Sequence, residues 1–419
     1  MKAPMVSEVK INESVMDISP SVDPMPWALP FGKPIYDSHE IDAVVQALRD
    51  GEIATGRIVS EFEQSFAELV GRDYAIACSS GSSANLIALA TMMALGRAKL
   101  GDRVIVAGVT FITAISPVTQ LGLVPVFVDT PPGQVNVDLN LVEMAIASTQ
   151  AVGMLIPHTL GQPIDVSRLR EIKHNTGAFL IEDCCESLGA ASEGCAVGSA
   201  SDLSTYSFYA GHHLTTGEGG MLTSADRALY SMAKSLRAFG RDHEYDGARF
   251  AYPVDDRPLA PDERYIHVRL GFNGKMTDFQ AAIGLVQLSR LDVLGLGRRT
   301  IGEALLKVFE AYSDLQILGE PLGKGSSPFG LPLLAPSAKR RNALARCLSN
   351  ERIEVRGVLG ASSAHQPCFD YVPKVIFEPY VNAMEAGRRG LLIGCPPGLK
   401  HAAAIQALST ALSTWSQER

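Results

Sequence analysis

The stretch Tyr74–Ala90, YAIACSSGSSANLIALA, decides the fold. Five apolar or small residues end in Cys78, a turn passes through Gly81, and an apolar helix pattern runs from Ser83 to about Gly96. This is the first half of a βαβ unit. Working outward, the same alternation recurs as short strands at Arg103–Ala107, Val124–Val128, Val152–Pro157, Ala178–Glu182, Leu203–Phe208 and Gly220–Ser224. Strands alternating with helices predict an α/β fold with a mostly parallel central sheet and helices on both faces. Upstream, DSHEIDAVVQALRD (37–50) sets Ile41, Val44, Val45 and Leu48 at helical spacing behind a Ser38 cap, and Phe62, Phe66 and Leu69 mark a second helix at 60–70. A helix-rich stretch from Thr277 to about Leu294 closes this unit, and helices at 339–350 and 401–415 mix with short strands in a smaller C-terminal α+β unit. The division is an N-terminal arm at 1–30, a large domain at 31–294 and a small domain at 295–419.

Composition narrows the function. With 37 Lys plus Arg against 45 Asp plus Glu the net charge is −8, which disfavours a nucleic-acid partner needing a concentrated basic face. No run of about 20 apolar residues and no signal-like N-terminus is present, so neither a membrane nor export is expected. Seven scattered cysteines, an odd number in a long chain, argue against a disulfide framework and for a reducing cytoplasm.

Three segments carry chemistry. CSSGSSANLIALA (78–90) opens a helix whose free amides form an anion site, with phosphate as the occupant, although a Ser-rich cap holding no ligand explains it equally well. FLIEDCCESLGA (179–190) delivers Glu182 and Asp183 at the carboxyl end of a strand, where open α/β sheets bind ligands. A carboxylate there keeps a heterocyclic nitrogen protonated or simply caps the next helix. TYSFYAGHHLTTGEGGMLTS (205–224) ends a second strand and brings His212, whose unperturbed pKa near neutrality suits acid/base work.

Taken together with GKPIYDSHEI (32–41), TGRIVSEFEQSFAELVG (55–71), VTFITAISPV (109–118), FNGKMTDFQAAIGLVQL (272–288), EVRGVLG (354–360) and HQPCF (365–369), these motifs resemble the DegT/StrS-like sugar aminotransferase family of fold-type I pyridoxal-phosphate enzymes. The resemblance spans roughly Phe31 to Leu408. The family carries its cofactor-linking lysine five residues after the Ser of the SFY segment, and here that position is His212. His in an HHxTxGEGG setting resembles the family's 3-dehydratase branch, which acts on nucleotide-linked 4-keto-6-deoxy sugars. The resemblance implies pyridoxal 5'-phosphate or pyridoxamine 5'-phosphate held noncovalently, His212 as acid/base, glutamate as amino donor, and a homodimer with shared sites.

By the same resemblance Asp183 pairs with the pyridine nitrogen and Phe111 stacks on the ring. Gly81, Ser82 and Ser207 hold the phosphate, Glu186 meets a ring substituent, and Asn273 reaches the phosphate from the neighbouring subunit. Thr55, Gly56, Arg57, Arg356 and His365 fall at the substrate entrance, where a solvated surface residue or a loop brace explains each equally well, with Arg241 and Arg269 as further basic candidates and His213 in a lesser role. No metal is expected. One type in this branch, CDP-linked, holds an iron-sulfur cluster on cysteines after its GRD segment, whereas GRDHEYDGARFAYPVDDRPLAPDERYIHVRLGFN (240–273) has none, so no cluster and no reductase partnership are expected. Cys184 and Cys185 read as packing residues. The insert at 242–268 nevertheless has the length of the cluster-bearing type. An aminotransferase recruiting Lys234 or Lys275, and a non-catalytic binder of cofactor or sugar nucleotide, are the competing readings.

Overall fold

The computed structural model describes residues 27–241 and 266–418. Most of the expected arm, 1–26 of 1–30, and most of the expected insert, 242–265, lie outside the described residues.

The strands are β1 (Tyr74–Cys78), β2 (Arg103–Ala107), β3 (Val124–Val128), β4 (Gly153–Pro157), β5 (Phe179–Asp183), the two-residue pair β6 (Ala191–Ser192) and β7 (Cys195–Ala196), β8 (Leu203–Ser207) and β9 (Gly220–Ser224). In the C-terminal part follow β10 (Gln316–Ile317), β11 (Gly330–Leu334), β12 (Val355–Arg356), β13 (Val375–Ile376) and β14 (Gly390–Gly394). Eight strands form one sheet in the order β1-β9-β8-β5-β4-β2-β3-β13. β9 runs antiparallel to both neighbours, and every other pairing is parallel. The carboxyl ends of β1, β8, β5, β4 and β2 therefore lie along one edge, where the following loops meet.

Burial follows the residue choice. β4 and β5 are buried throughout, as a parallel strand covered on both faces must be. Helix Gly81–Ala94 buries Ala84, Ile87, Ala88, Leu89 and Met92 and is apolar around most of its circumference, so it is an interior helix. Its first turn, GSSA, is built from small side chains, which lets β1 and β9 pack close behind it. Helix Arg57–Val70 ends on Gly71 in the left-handed region (φ 66°), a conformation that a Cβ would strain. The cap of helix Ser38–Arg49 is Asp37 rather than Ser38: its carboxylate accepts from the His39 amide, and Glu40 completes the box.

The smaller sheet, β10-β11-β14-β12, is wholly antiparallel. Its core joins Leu331, Leu333 and Ile393 to Ile301, Leu305 and Phe309 of helix Leu291–Phe309 and to Leu408, Leu412 and Trp415 of helix His401–Gln417. Residue 294 lies inside helix Leu291–Phe309, which bends 67° away from helix Asp278–Leu288. β13 leaves the C-terminal part to pair with β3 at the edge of the large sheet. No single helix among the described residues is long and apolar enough to cross a membrane.

Candidate functional site

A cleft of about 850 Å³ opens between the two sheets at the carboxyl ends of the parallel strands. Ser80–Ser82 after β1, Phe111–Thr113 after β2, Asp183–Glu186 after β5 and Ser207–His212 after β8 supply one wall, and Phe329, Arg356, Gln366 and Cys368 face them.

At the β1 end, the Ser80 hydroxyl accepts from the Ser83 amide at 3.1 Å, and the Ser83 hydroxyl accepts from the Ser80 amide. This cap leaves the Gly81 and Ser82 amides, orphaned by helix geometry, fronting the cleft. A Cβ on Gly81 would lie 2.7 Å from Ser207 Cβ and 2.8 Å from Cys185 Sγ, so only glycine lets these three loop ends converge.

At the β5 end, side-chain alternation separates the two acids. Asp183 lines the cleft, its carboxylate accepting from Asn85 Nδ2 at 2.8 Å and from the Cys185 amide at 3.0 Å. Asn85 is held in turn by Thr205, whose hydroxyl donates to Asn85 Oδ1 at 2.6 Å. Glu182 is fully buried, where it accepts from the Gly198, Ala200 and Ser201 amides and meets His158 Nε2 at 3.0 Å. Burial alone would raise its pKa, but these partners hold the carboxyl below its ordinary value. His158 Nδ1 accepts from the Ile164 amide, so the ring's proton sits on Nε2 and points at Glu182. Glu186 accepts from the Leu160 amide at 2.9 Å, and burial together with nearby Asp183 pushes its carboxyl up to about 8.

At the β8 end, His212 Nδ1 lies 2.6 Å from the carbonyl oxygen of Cys185. A carbonyl only accepts, so Nδ1 carries the proton and Nε2 keeps a free lone pair. The ring packs edge-on against Phe329, with centroids 5.0 Å apart. Burial, with a contribution from the Arg298 charge, presses its pKa down to about 4 despite the hydrogen bond to Cys185. At neutral pH His212 is an unprotonated base.

The cleft thus gathers His212, Gly81, Ser82, Phe111, Asp183, Glu186, Ser207 and Arg356. Other expectations are corrected for this chain's own cleft. Thr55 donates to the Met276 carbonyl at 2.6 Å, and Gly56 is pinned because Asp278, at the start of the next helix, accepts from its amide and that of Val59. Exposed Arg57 spends its guanidinium on Glu52 and Glu61. His213 turns away into the core, its Nε2 donating to the Ser327 carbonyl at 3.0 Å. His365 is exposed and pairs with Ser362 through Nδ1. Asn273, expected at the neighbouring subunit's site rather than at this one, is exposed and pairs its backbone with Ala238. Arg241 and Arg269 do not line it either.

Three participants escaped the sequence reading: Asn85, Phe329 and the Cys185 backbone. Asn85 is an amide side chain inside a largely apolar helix, the signal that marked it beforehand. Cys185 is more than packing, since its carbonyl sets the His212 tautomer. Among the described residues no lysine lines the cleft; Lys234 Nζ lies over the Tyr230 ring and Lys275 Nζ over Phe239. Among them, too, no group of three or more His, Cys, Asp or Glu is arranged to hold a metal ion.

A sequence profile described as the DegT/DnrJ/EryC1/StrS aminotransferase family matches residues 34–411. The lipopolysaccharide biosynthesis protein RfbH of Salmonella typhimurium is 34% identical over 384 residues, which is 88% of this chain and 87% of that protein. The dTDP-4-dehydro-2,6-dideoxy-D-glucose 3-dehydratase of Saccharopolyspora spinosa is 34% identical over 382 residues, 87% of this chain and 82% of that protein. The solved E. coli GDP-4-keto-6-deoxy-D-mannose-3-dehydratase with bound hydrated PLP superposes at a TM-score of 0.83 with 27% identity, covering 92% of this chain and 99% of that one.

Proposed function

Because the chain belongs to the DegT/DnrJ/EryC1/StrS aminotransferase family, we propose that it is a PLP/PMP-dependent 3-dehydratase that removes the carbon 3 hydroxyl of a nucleotide-linked 4-keto-6-deoxy sugar. The single observation that carries this reading is the base at the cleft: a histidine with a free Nε2, and no lysine lining the cleft among the described residues.

Three observations support a fit to the phosphorylated cofactor. The Gly81 and Ser82 amides form an anion cradle that a Cβ at Gly81 would fill. The Asp183 carboxylate is buried at 7% exposure yet lines the cleft. Phe111 leaves 54% of its surface uncovered at the cleft, a ring face without a partner. When bound, the pyridoxamine form supplies the amine that condenses with the sugar ketone and the ring that accepts electrons.

The chain's residues do the rest. Gly81, Ser82 and Ser207 hold the phosphate, and Phe111 covers the ring. Asp183, fixed by Asn85, keeps the pyridine nitrogen protonated. Glu186, carrying a proton near neutral pH, donates to a ring substituent. His212 takes a proton at Nε2 and returns one to the departing hydroxyl, which leaves as water. Among the described residues no lysine lines the cleft, so a bound amine form would be free for the sugar, and glutamate would be the donor that restores it. The reading includes a cytoplasmic homodimer in which Asn273, exposed and outside its own cleft, reaches the partner's phosphate site.

The test supplies pyridoxamine phosphate, glutamate and a panel of 4-keto-6-deoxy sugar nucleotides, and follows the products by mass spectrometry. Loss of the carbon 3 oxygen is expected. Formation of amino sugars alone would overturn the reading.

A further inference from the structure

Arg298 is fully buried, at 1% exposure, and among the described residues no carboxylate lies within ion-pair distance of it. An arginine buried for stability alone ordinarily pairs with an acid, because leaving water is costly for an uncompensated charge. Here one nitrogen, Nη2, donates to two consecutive carbonyls, Gly211 at 2.8 Å and His212 at 2.6 Å. Nε and Nη1 meet no acceptor. The guanidinium carbon stands 5.9 Å from the Phe329 ring centre, and His212 packs on that same ring. Burial lowers the Arg298 pKa to about 10, so the group stays charged at neutral pH.

We propose that Arg298 is a positioning residue for His212: it clamps the loop through the Gly211 and His212 carbonyls, so that the imidazole faces the cleft with a fixed cation behind it. Two contacts with opposite consequences meet at the ring. The Cys185 carbonyl holds the Nδ1 proton and favours a charged imidazole, whereas the neighbouring cation disfavours it. The other titratable groups around the ring are Asp183, Cys185 and Glu186 after β5, Tyr209 and His213 on its own loop, and Arg356 across the cleft, with Cys395 beside Arg298. Among these, Arg298 is the cation tied directly to the His212 backbone. The catalytic importance of this role rests on the dehydratase reading, but the role itself is measurable without turnover.

The experiment is a pH titration of ring-labelled histidines by NMR in the full-length protein, with His212→Asn assigning the signal. Arg298→Gln keeps a hydrogen-bond donor and removes the charge, and it should raise His212 proton affinity on the order of threefold to tenfold. Arg298→Lys keeps the charge and should leave the affinity near its wild-type value, while weakening the two-carbonyl clamp. Equal shifts in both variants, or none in either, would overturn the proposal. If Arg298→Gln fails to fold, Arg298→Lys still decides, because loss of the two-carbonyl clamp should move the His212 ring signals and an unmoved signal would overturn the proposal. The expected titration without any dehydration would instead count against the dehydratase reading and leave the Arg298 role standing.

Discussion

Asn85 Nδ2 stands 2.8 Å from the Asp183 carboxylate, so a residue of the helix Gly81–Ala94 fixes the acid at the end of the fifth strand. The Thr205 hydroxyl orients Asn85 from the opposite side, and the chain of three side chains crosses three of the elements that form the cleft.

Replacing Asn85 by Leu removes that support while keeping the volume. A buried carboxylate that loses a donor costs about 1–3 kcal/mol. The variant should melt lower and bind pyridoxal phosphate at least several-fold more weakly, measured by fluorescence titration. Unchanged affinity would mean that Asp183 does not depend on Asn85.

His212→Asn keeps a donor for the Cys185 carbonyl and deletes the base. Dehydration should fall by about 10²–10⁴-fold, with cofactor affinity and melting temperature near wild type. Borohydride treatment of the wild-type holoenzyme should leave no cofactor covalently attached; covalent labelling of a lysine would contradict the site as drawn.

Gly81→Ala places a methyl group 2.7 Å from Ser207 Cβ and 2.8 Å from Cys185 Sγ. The loop ends must then separate, at a cost of about 1–3 kcal/mol. Weaker cofactor binding with a modest fall in melting temperature is expected, and a Ser207→Gly second change should restore part of both.

Alternation made the central sheet legible in the sequence, because each parallel strand is a short apolar run ending where a loop residue turns toward the ligand. The ends moved by one to three residues, as at Gly81, where the helix starts two residues before the apolar pattern does. β13 was not legible: two residues carry no periodicity, and their pairing with β3 depends on a long excursion of the chain. Of the site, Asp183 and His212 stood out because charged or titratable groups at strand ends are conspicuous. Cys185 did not, since its contribution is a main-chain carbonyl that any residue possesses. Arg298 did not either, because an arginine on a helix ordinarily reads as solvated until the packing shows it buried. Thr55 and Arg57 were open between the entrance and a loop brace, since a motif there says nothing about the Met276 carbonyl and the Glu52 and Glu61 side chains that they meet in this chain.

If Asn273 serves the neighbouring subunit's site, His212 and Asn273 belong to different sites on one chain. A preparation of His212→Asn alone should be inactive and Asn273→Ala alone weakened, and sedimentation should show each as a dimer. Mixed dimers of the two contain one site that combines an intact His212 with an intact Asn273, so activity should rise on subunit exchange above the mean of the separate preparations. Activity equal to that mean would place Asn273 outside the shared site.

The pH dependence of stability gives a final test through Glu186. Its carboxyl titrates near 8 in the folded protein against an ordinary value of 4.5, so the folded state holds the proton more tightly than the unfolded chain. The resulting stabilisation is fully present below about 4.5 and is lost as pH rises through 8. His212 acts in the other direction: its pKa falls from 6.5 to about 4 on folding, so stability is lost as pH drops below 6.5. Glu186→Gln should therefore flatten the decline in melting temperature between pH 5 and 8.5 by a few degrees while leaving the acid side of the profile in place. A variant whose alkaline decline matches wild type would show that Glu186 is ionised in the folded protein, and would remove it as the proton donor to the cofactor ring.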